Sequence, residues 1–182
     1  ADDIGNASGG WTMTWQGKSG EITPGTTILE GIRHVAGKKS KITYDREGRG
    51  IDGSYDVALA VVGEKPYAEF KGDRPDSLSL DEEDLRTISR IRKAGVPVVV
   101  VLVAGRPLDI MQELDHWSGL VAAWLPGTEG AGVADVLFGD AEPVGKLPVT
   151  WMKRASQEPV NAGDGKDPLF PLGAGLHYSG HP

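Results

Sequence analysis

Three short apolar runs, each bounded by glycine or proline, alternate along the middle of the chain with segments whose apolar residues recur every three or four positions. The runs are Tyr55 to Val62, closed by Gly63; Val96 to Val103, opened by Ala94-Gly95; and Gly119 to Trp124, closed by Pro126-Gly127. Their apolar character is continuous rather than alternating, which predicts strands covered on both faces, as in parallel sheets. Between them, Thr26 to Val35 reads as a helix with Ile28, Leu29, Ile32 and Val35 turned inward. A second helix is expected to open on the capping box Ser79-Leu80-Asp81-Glu82, with Ser79 as N-cap. Leu85, Ile88 and Ile91 mark its inner face, and early acids with late Arg90, Arg92 and Lys93 suit the helix dipole. Leu108 to Leu114 and Gly130 to Phe138 are shorter helical candidates. The alternation predicts an α/β fold: an open three-layer α/β/α sandwich on a mostly parallel sheet with helices on both faces.

The two ends read differently. Residues 1–25 form an irregular stretch rich in glycine and tryptophan, 26–150 the sandwich, and 151–182 a tail wrapping the same domain. A doubly wound domain normally opens on a buried strand, and none precedes Asp2. The expectation is therefore that the sheet lacks its first strand and that the chain is cut from something longer.

Composition narrows the partners. A formal net charge of −7 argues against a nucleic-acid surface, which needs lysine and arginine to meet phosphates. Cysteine is absent, so no disulfide or thiolate metal site exists. The four histidines (His34, His116, His177, His181) show no ligand spacing, and no metal or cofactor is expected. No apolar run approaches the length of a membrane span.

In open α/β sheets, ligands bind beyond the carboxyl ends of the strands. That rule selects the loops beginning at Gly63-Glu64-Lys65-Pro66-Tyr67, Gly105-Arg106-Pro107 and Pro126-Gly127-Thr128-Glu129. Glu64 sits just past a buried run, between Gly63 and Pro66. It is either an exposed loop acid beside Lys65 or a shielded carboxyl whose pKa is raised enough to donate a proton near neutrality. Glu69 and Asp73 share its loop and are less constrained. Arg106 either clamps a carboxylate or pairs with an acid such as Glu129 to order two loops. Glu129, inside a glycine-rich stretch, belongs either to a phosphate cradle or to a helix N-terminus with acidic capping. Trp11 and Trp15 flank Met13 with strand-like alternation, and serve either as platforms for sugar rings or as core plugs. No serine lies in a Gly-x-Ser-x-Gly elbow.

The stretch Val62-Gly63-Glu64-Lys65-Pro66-Tyr67-Ala68-Glu69-Phe70-Lys71-Gly72-Asp73 resembles the acid-bearing loop of glycoside hydrolase family 3, in its β-glucosidase and exo-β-glucanase branch. Gly9-Gly10-Trp11-Thr12, Trp15-Gln16-Gly17 and Gly105-Arg106-Pro107 agree with it. So do Ala123 to Gly130, Leu137 to Asp140, Gly145 to Trp151 and Pro168 to Leu176, in order along the whole chain. The resemblance implies a sheet of five to six strands and the second domain of a two-domain, secreted or periplasmic retaining enzyme acting on β-glucans or β-glucosides. On that pattern a barrel-like first domain carries the nucleophilic aspartate, Glu64 maps to the acid/base, and Trp11 lines the aglycone subsite. Retaining hydrolysis needs two carboxyl groups about 5 Å apart, so one domain alone is expected to be inactive. Two other readings stand beside this one: a non-catalytic glycan-binding or scaffold module, and a flavodoxin-like nucleotide binder resting on Gly127 to Gly132.

Overall fold

The computed structural model describes residues 2–74 and 77–178; His181 lies outside them. Three parallel strands form the sheet in sequence order: β1 (Ala58–Gly63), β2 (Val98–Val103) and β3 (Gly119–Trp124). The central strand pairs Ala58 with Val98 on one side and Val99 with Gly119 on the other. Near its end the β3 register skips a residue, so that Leu102 faces Ala122 and Val103 faces Trp124. Trp124 takes a left-handed φ of 53° there.

Successive side chains of a strand point to opposite faces, and the core divides accordingly. Ala60, Val62, Val98, Val100 and Leu102 meet Ile88 and Ile91 of helix α3 (Glu82–Lys93), together with Trp117, Trp151 and Met152. Val101 and Val103 meet Ile28 and Ile32 of α2 (Ile28–Ala36) and Ala134 of α5 (Gly130–Phe138). A five-residue helix, α1 (Ile4–Ser8), and a single turn, α4 (Met111–Leu114), are the other α-helices among the described residues. This is an α/β fold with helices flanking an open parallel sheet.

The sheet has three strands among the described residues, not the expected five to six. Residues 40–57 hold mostly exposed turns between β1 and the preceding helix, and 139–150 hold Pro143, Gly145 and Pro148. Neither can sustain a ladder, because proline withholds a donor and exposed polar turns have no face to bury. Among the described residues, pairing beyond the strands is reduced to single bridges, Thr26 to Glu129, Ser79 to Asp109 and Trp151 to Phe170.

Local chemistry sets the helix ends. Helix α2 carries a full capping box, with Thr27 accepting from Glu30 N and Glu30 accepting from Thr27 N. Helix α3 starts two residues later than expected: Asp81, not Ser79, is its N-cap and accepts from Asp84 N at 2.9 Å. The four-acid run supplies the carboxylate cap, while Ser79 is held in a bridge to Asp109. Helices α2 and α5 touch backbone to backbone. A Cβ on Gly130 would lie 2.4 Å from Ile28 N, and one on Gly31 would lie 2.9 Å from Gly130 O.

Candidate active site

Two of the three strand-end loops, those after β1 and β2, converge, and Glu64 lies where they meet. Its amide donates to Val103 O at 3.0 Å, joining the ends of β1 and β2. Only glycine fits just before it. Gly63 has a φ of 152°, and a Cβ there would sit 1.8 Å from Val103 O. The Gly63 amide donates to Asp84 Oδ2 at 3.0 Å. Burial pushes the Asp84 carboxyl up to about 6 against that hydrogen bond, and Asp81 and Glu83 push the same way as burial.

The Glu64 side chain is only 7% exposed and accepts five hydrogen bonds. Arg106 grips it through Nη2 at 2.7 Å and through Nε, 3.1 Å from each carboxylate oxygen. Arg74 Nη1 adds a bond at 3.1 Å, and the Tyr67 hydroxyl another at 3.1 Å. A carboxylate offers about four lone-pair sites, so this one is fully engaged. Burial and the adjacent Glu64 charge push the Tyr67 phenol up to about 12, leaving it a hydrogen-bond donor. Burial alone would lower the Arg106 pKa, but its hydrogen bonds and charge contact with Glu64 outweigh that and raise it.

Two expectations change here. Arg106 pairs with Glu64 across the sheet edge rather than with Glu129. Glu64 is not the exposed acid of one reading, because two guanidinium groups enclose it.

Glu69 stands in the opposite situation. It heads the 3₁₀ turn Glu69–Gly72 on the same loop, is exposed, and holds a left-handed φ of 43°. Among the described residues its carboxylate takes one side-chain hydrogen bond, from Trp15 Nε1. Trp15 meets Phe70 edge-on with ring centroids 5.9 Å apart. Trp11 is 70% exposed, and its amide donates to Trp15 O at 2.9 Å. The left-handed φ of 60° at Trp11 and 61° at Met13 replaces the expected strand-like alternation with a tight turn. Neither tryptophan is a core plug. Gln16 fastens this turn to the loop, its Oε1 accepting from Ala68 N at 3.0 Å.

Glu129 is exposed and stands at the N-cap of α5, but its side chain makes no capping bond and instead accepts from Thr128 Oγ1 at 3.0 Å. The amides that a phosphate would need are already used: Gly130 N donates to Thr26 O and Glu129 N to Pro126 O. Residues 26–28 fill the cradle. Arg74, Tyr67 and Gln16 escaped the sequence reading. Tyr67 and Arg74 lie in or beside the acid-bearing motif, but nothing in their spacing says that the loop folds back on Glu64. No group of three His, Cys, Asp or Glu side chains among the described residues could hold a metal ion.

Residues 1–178 match the model of the glycosyl hydrolase family 3 C-terminal domain, and the chain belongs to that family. Over 98% of its length it is 33% identical to a lysosomal beta glucosidase of Dictyostelium discoideum, covering 25% of that protein. It is 27% identical to a periplasmic beta-glucosidase of Salmonella typhimurium over 98% of the chain and 30% of the relative. The crystal structure of an exo-1,3/1,4-beta-glucanase from a Pseudoalteromonas species superposes with a TM-score of 0.89 at 37% identity. That match covers 99% of this chain and 24% of the other. The chain thus spans about a quarter of the length of these relatives. Relatives include periplasmic and lysosomal enzymes, and no described helix is long and apolar enough to cross a membrane.

Proposed function

We propose that this chain supplies the acid/base half of a retaining, exo-acting β-glucosidase or exo-1,3/1,4-β-glucanase site, and that Glu69 is the proton donor. The nucleophilic carboxylate comes from the family's first domain, and terminal β-D-glucose is the group released. The observation that carries the choice of acid is the contrast within one loop. Glu64 has every lone pair engaged, while Glu69 reaches the surface beside Trp15 and Phe70. A donor must approach the leaving oxygen to about 3 Å and later receive a proton from water, which a sealed carboxylate cannot do. Trp11 and Trp15 offer indole faces for the aglycone sugar. A secreted or periplasmic location fits the names of the relatives.

The mechanism needs both domains. Glu69 protonates the leaving oxygen as the nucleophile attacks, then takes a proton from the water that frees the glycosyl-enzyme. The test uses the chain together with the family's first domain and aryl β-glucosides of differing leaving-group acidity. Glu69→Ala is expected to lose roughly 10²–10⁴-fold on poor leaving groups, less on good ones, and to form glucosyl azide when azide is added. Should Glu64→Ala behave that way and Glu69→Ala remain active, the donor is Glu64. The isolated chain should show no turnover. A non-catalytic glycan-binding role is favoured only by the exposed tryptophans, and glucan binding with no loss of turnover in either variant would support it.

A further inference from the structure

We infer that Glu64 is a positioning residue that acts through Glu69: its buried carboxylate closes residues 64–74 into a ring and fixes the turn at the ring's tip. The inference rests on the assignment of Glu69 as donor.

The loop has little backbone to hold it. After Glu64 N bonds to Val103 O, the backbone hydrogen bonds made by its amides among the described residues are internal, Lys71 N to Ala68 O and Asp73 N to Phe70 O. Side chains do the rest, and most of them converge on one carboxylate. Glu64 opens the loop, Arg74 closes it, Tyr67 lies between, and all three meet at that group. Arg106 reaches in from the end of β2. It grips Glu64 with Nε and Nη2, donates from Nη1 to Gly72 O at 2.7 Å, and stacks 4.5 Å from the Tyr67 ring centroid. Arg74 passes the tether on to Ser79 O at 2.6 Å, ahead of helix α3.

The turn that results is not one the backbone prefers. A left-handed φ at a glutamate persists only where its surroundings over-determine it. The ring provides that constraint from below, and the Trp15 and Gln16 contacts provide it from above. A buried ion pair is a poor source of stability compared with an apolar replacement. Its planar, forked geometry is what an apolar core could not supply. The cluster is therefore read as a device for setting direction.

The test compares Glu64→Gln and Arg106→Lys in the chain joined to the family's first domain. Arg106→Lys keeps the charge but loses the fork, so it carries the test if Glu64→Gln does not fold. Amide exchange in residues 65–74 is expected to rise about tenfold or more in each variant, with α2 and α5 unchanged. The value of kcat on poor leaving groups is expected to fall about 100-fold, as misplacement of a catalytic group by about 1 Å would cause. KM should stay within about twofold, and azide should restore nothing, because the acid is present but misdirected. Unchanged exchange in the loop would overturn the inference. So would a loosened loop with full turnover while Glu69→Ala is inactive, or glucosyl azide formed by Glu64→Gln. If Glu69→Ala itself retains full turnover, the assignment of the donor fails, whatever the loop does.

Discussion

The loops after β1 and β3 look alike in sequence, each setting an acid beside glycine at a strand end, and they are built in opposite ways. After β1, side-chain charge holds the chain, with Glu64 sealed between Arg74 and Arg106. After β3, backbone does the work: Thr26 and Gly130 exchange a main-chain contact, and Glu129 is left in solvent. An acid next to glycine at a strand end is thus no guide to its role. What matters is whether the glycine makes room for a side-chain cluster or for another segment of backbone.

The comparison is broken most directly at the charged loop. Glu64→Ala leaves two part-buried guanidinium groups without the carboxylate that both grip. Removing one partner of a buried pair costs about 3–5 kcal/mol. Urea unfolding at neutral pH should show a loss in that range. A loss under about 1 kcal/mol would mean that Arg74 and Arg106 simply swing into water, as surface pairs do. The backbone-built loop should respond instead to added volume. Gly130→Ala places a methyl group 2.4 Å from Ile28 N and Thr27 C, main-chain atoms that cannot turn aside. Overpacking of this kind costs roughly 1–3 kcal/mol. A wild-type midpoint in thermal unfolding would show that α2 and α5 can separate freely.

Much of the frame was legible because burial writes itself into composition. Val98 to Val103 reads as a buried strand because both faces are covered, and α2 and α5 fall where their apolar spacing ends. Five to six strands exceed the three apolar runs that the sequence itself carries, and the described residues outside those runs pair only through isolated bridges. The cap of α3 was misread because Ser79 and Asp81 both carry cap chemistry, and only tertiary placement chooses between them. The site was legible as a loop and not as an arrangement. Whether Glu64 or Glu69 faces outward depends on Arg106, 42 residues away, and on a left-handed residue that no periodicity reveals.

A smaller effect separates the charged loop's own supports. Asp84, which accepts from Gly63 N, has a carboxyl raised to about 6 in the folded chain, against roughly 3.9 when unfolded. The folded state therefore binds more protons between those values, and the Asp84 contribution to stability is full below about pH 4 and is lost as pH rises through about 6. Asp84→Asn retains an acceptor for Gly63 N and removes the buried charge. Relative to the wild type, its stability should improve by roughly 2 kcal/mol between pH 4 and pH 7. Parallel pH profiles of the two proteins would refute this.

The smallest effect belongs to Glu129, and its smallness is informative. Its side chain does not cap α5, it is exposed, and the backbone of residues 26–28 already occupies the helix entrance. Glu129→Ala should therefore change stability by no more than about 0.5 kcal/mol, the range of surface substitutions. The one force left to it is attraction between its charge and the α5 dipole, worth a few tenths of a kcal/mol and weakened by salt. A larger, salt-insensitive loss in thermal unfolding would mean that the loop after β3 also depends on a charge, and the contrast with Glu64 would collapse.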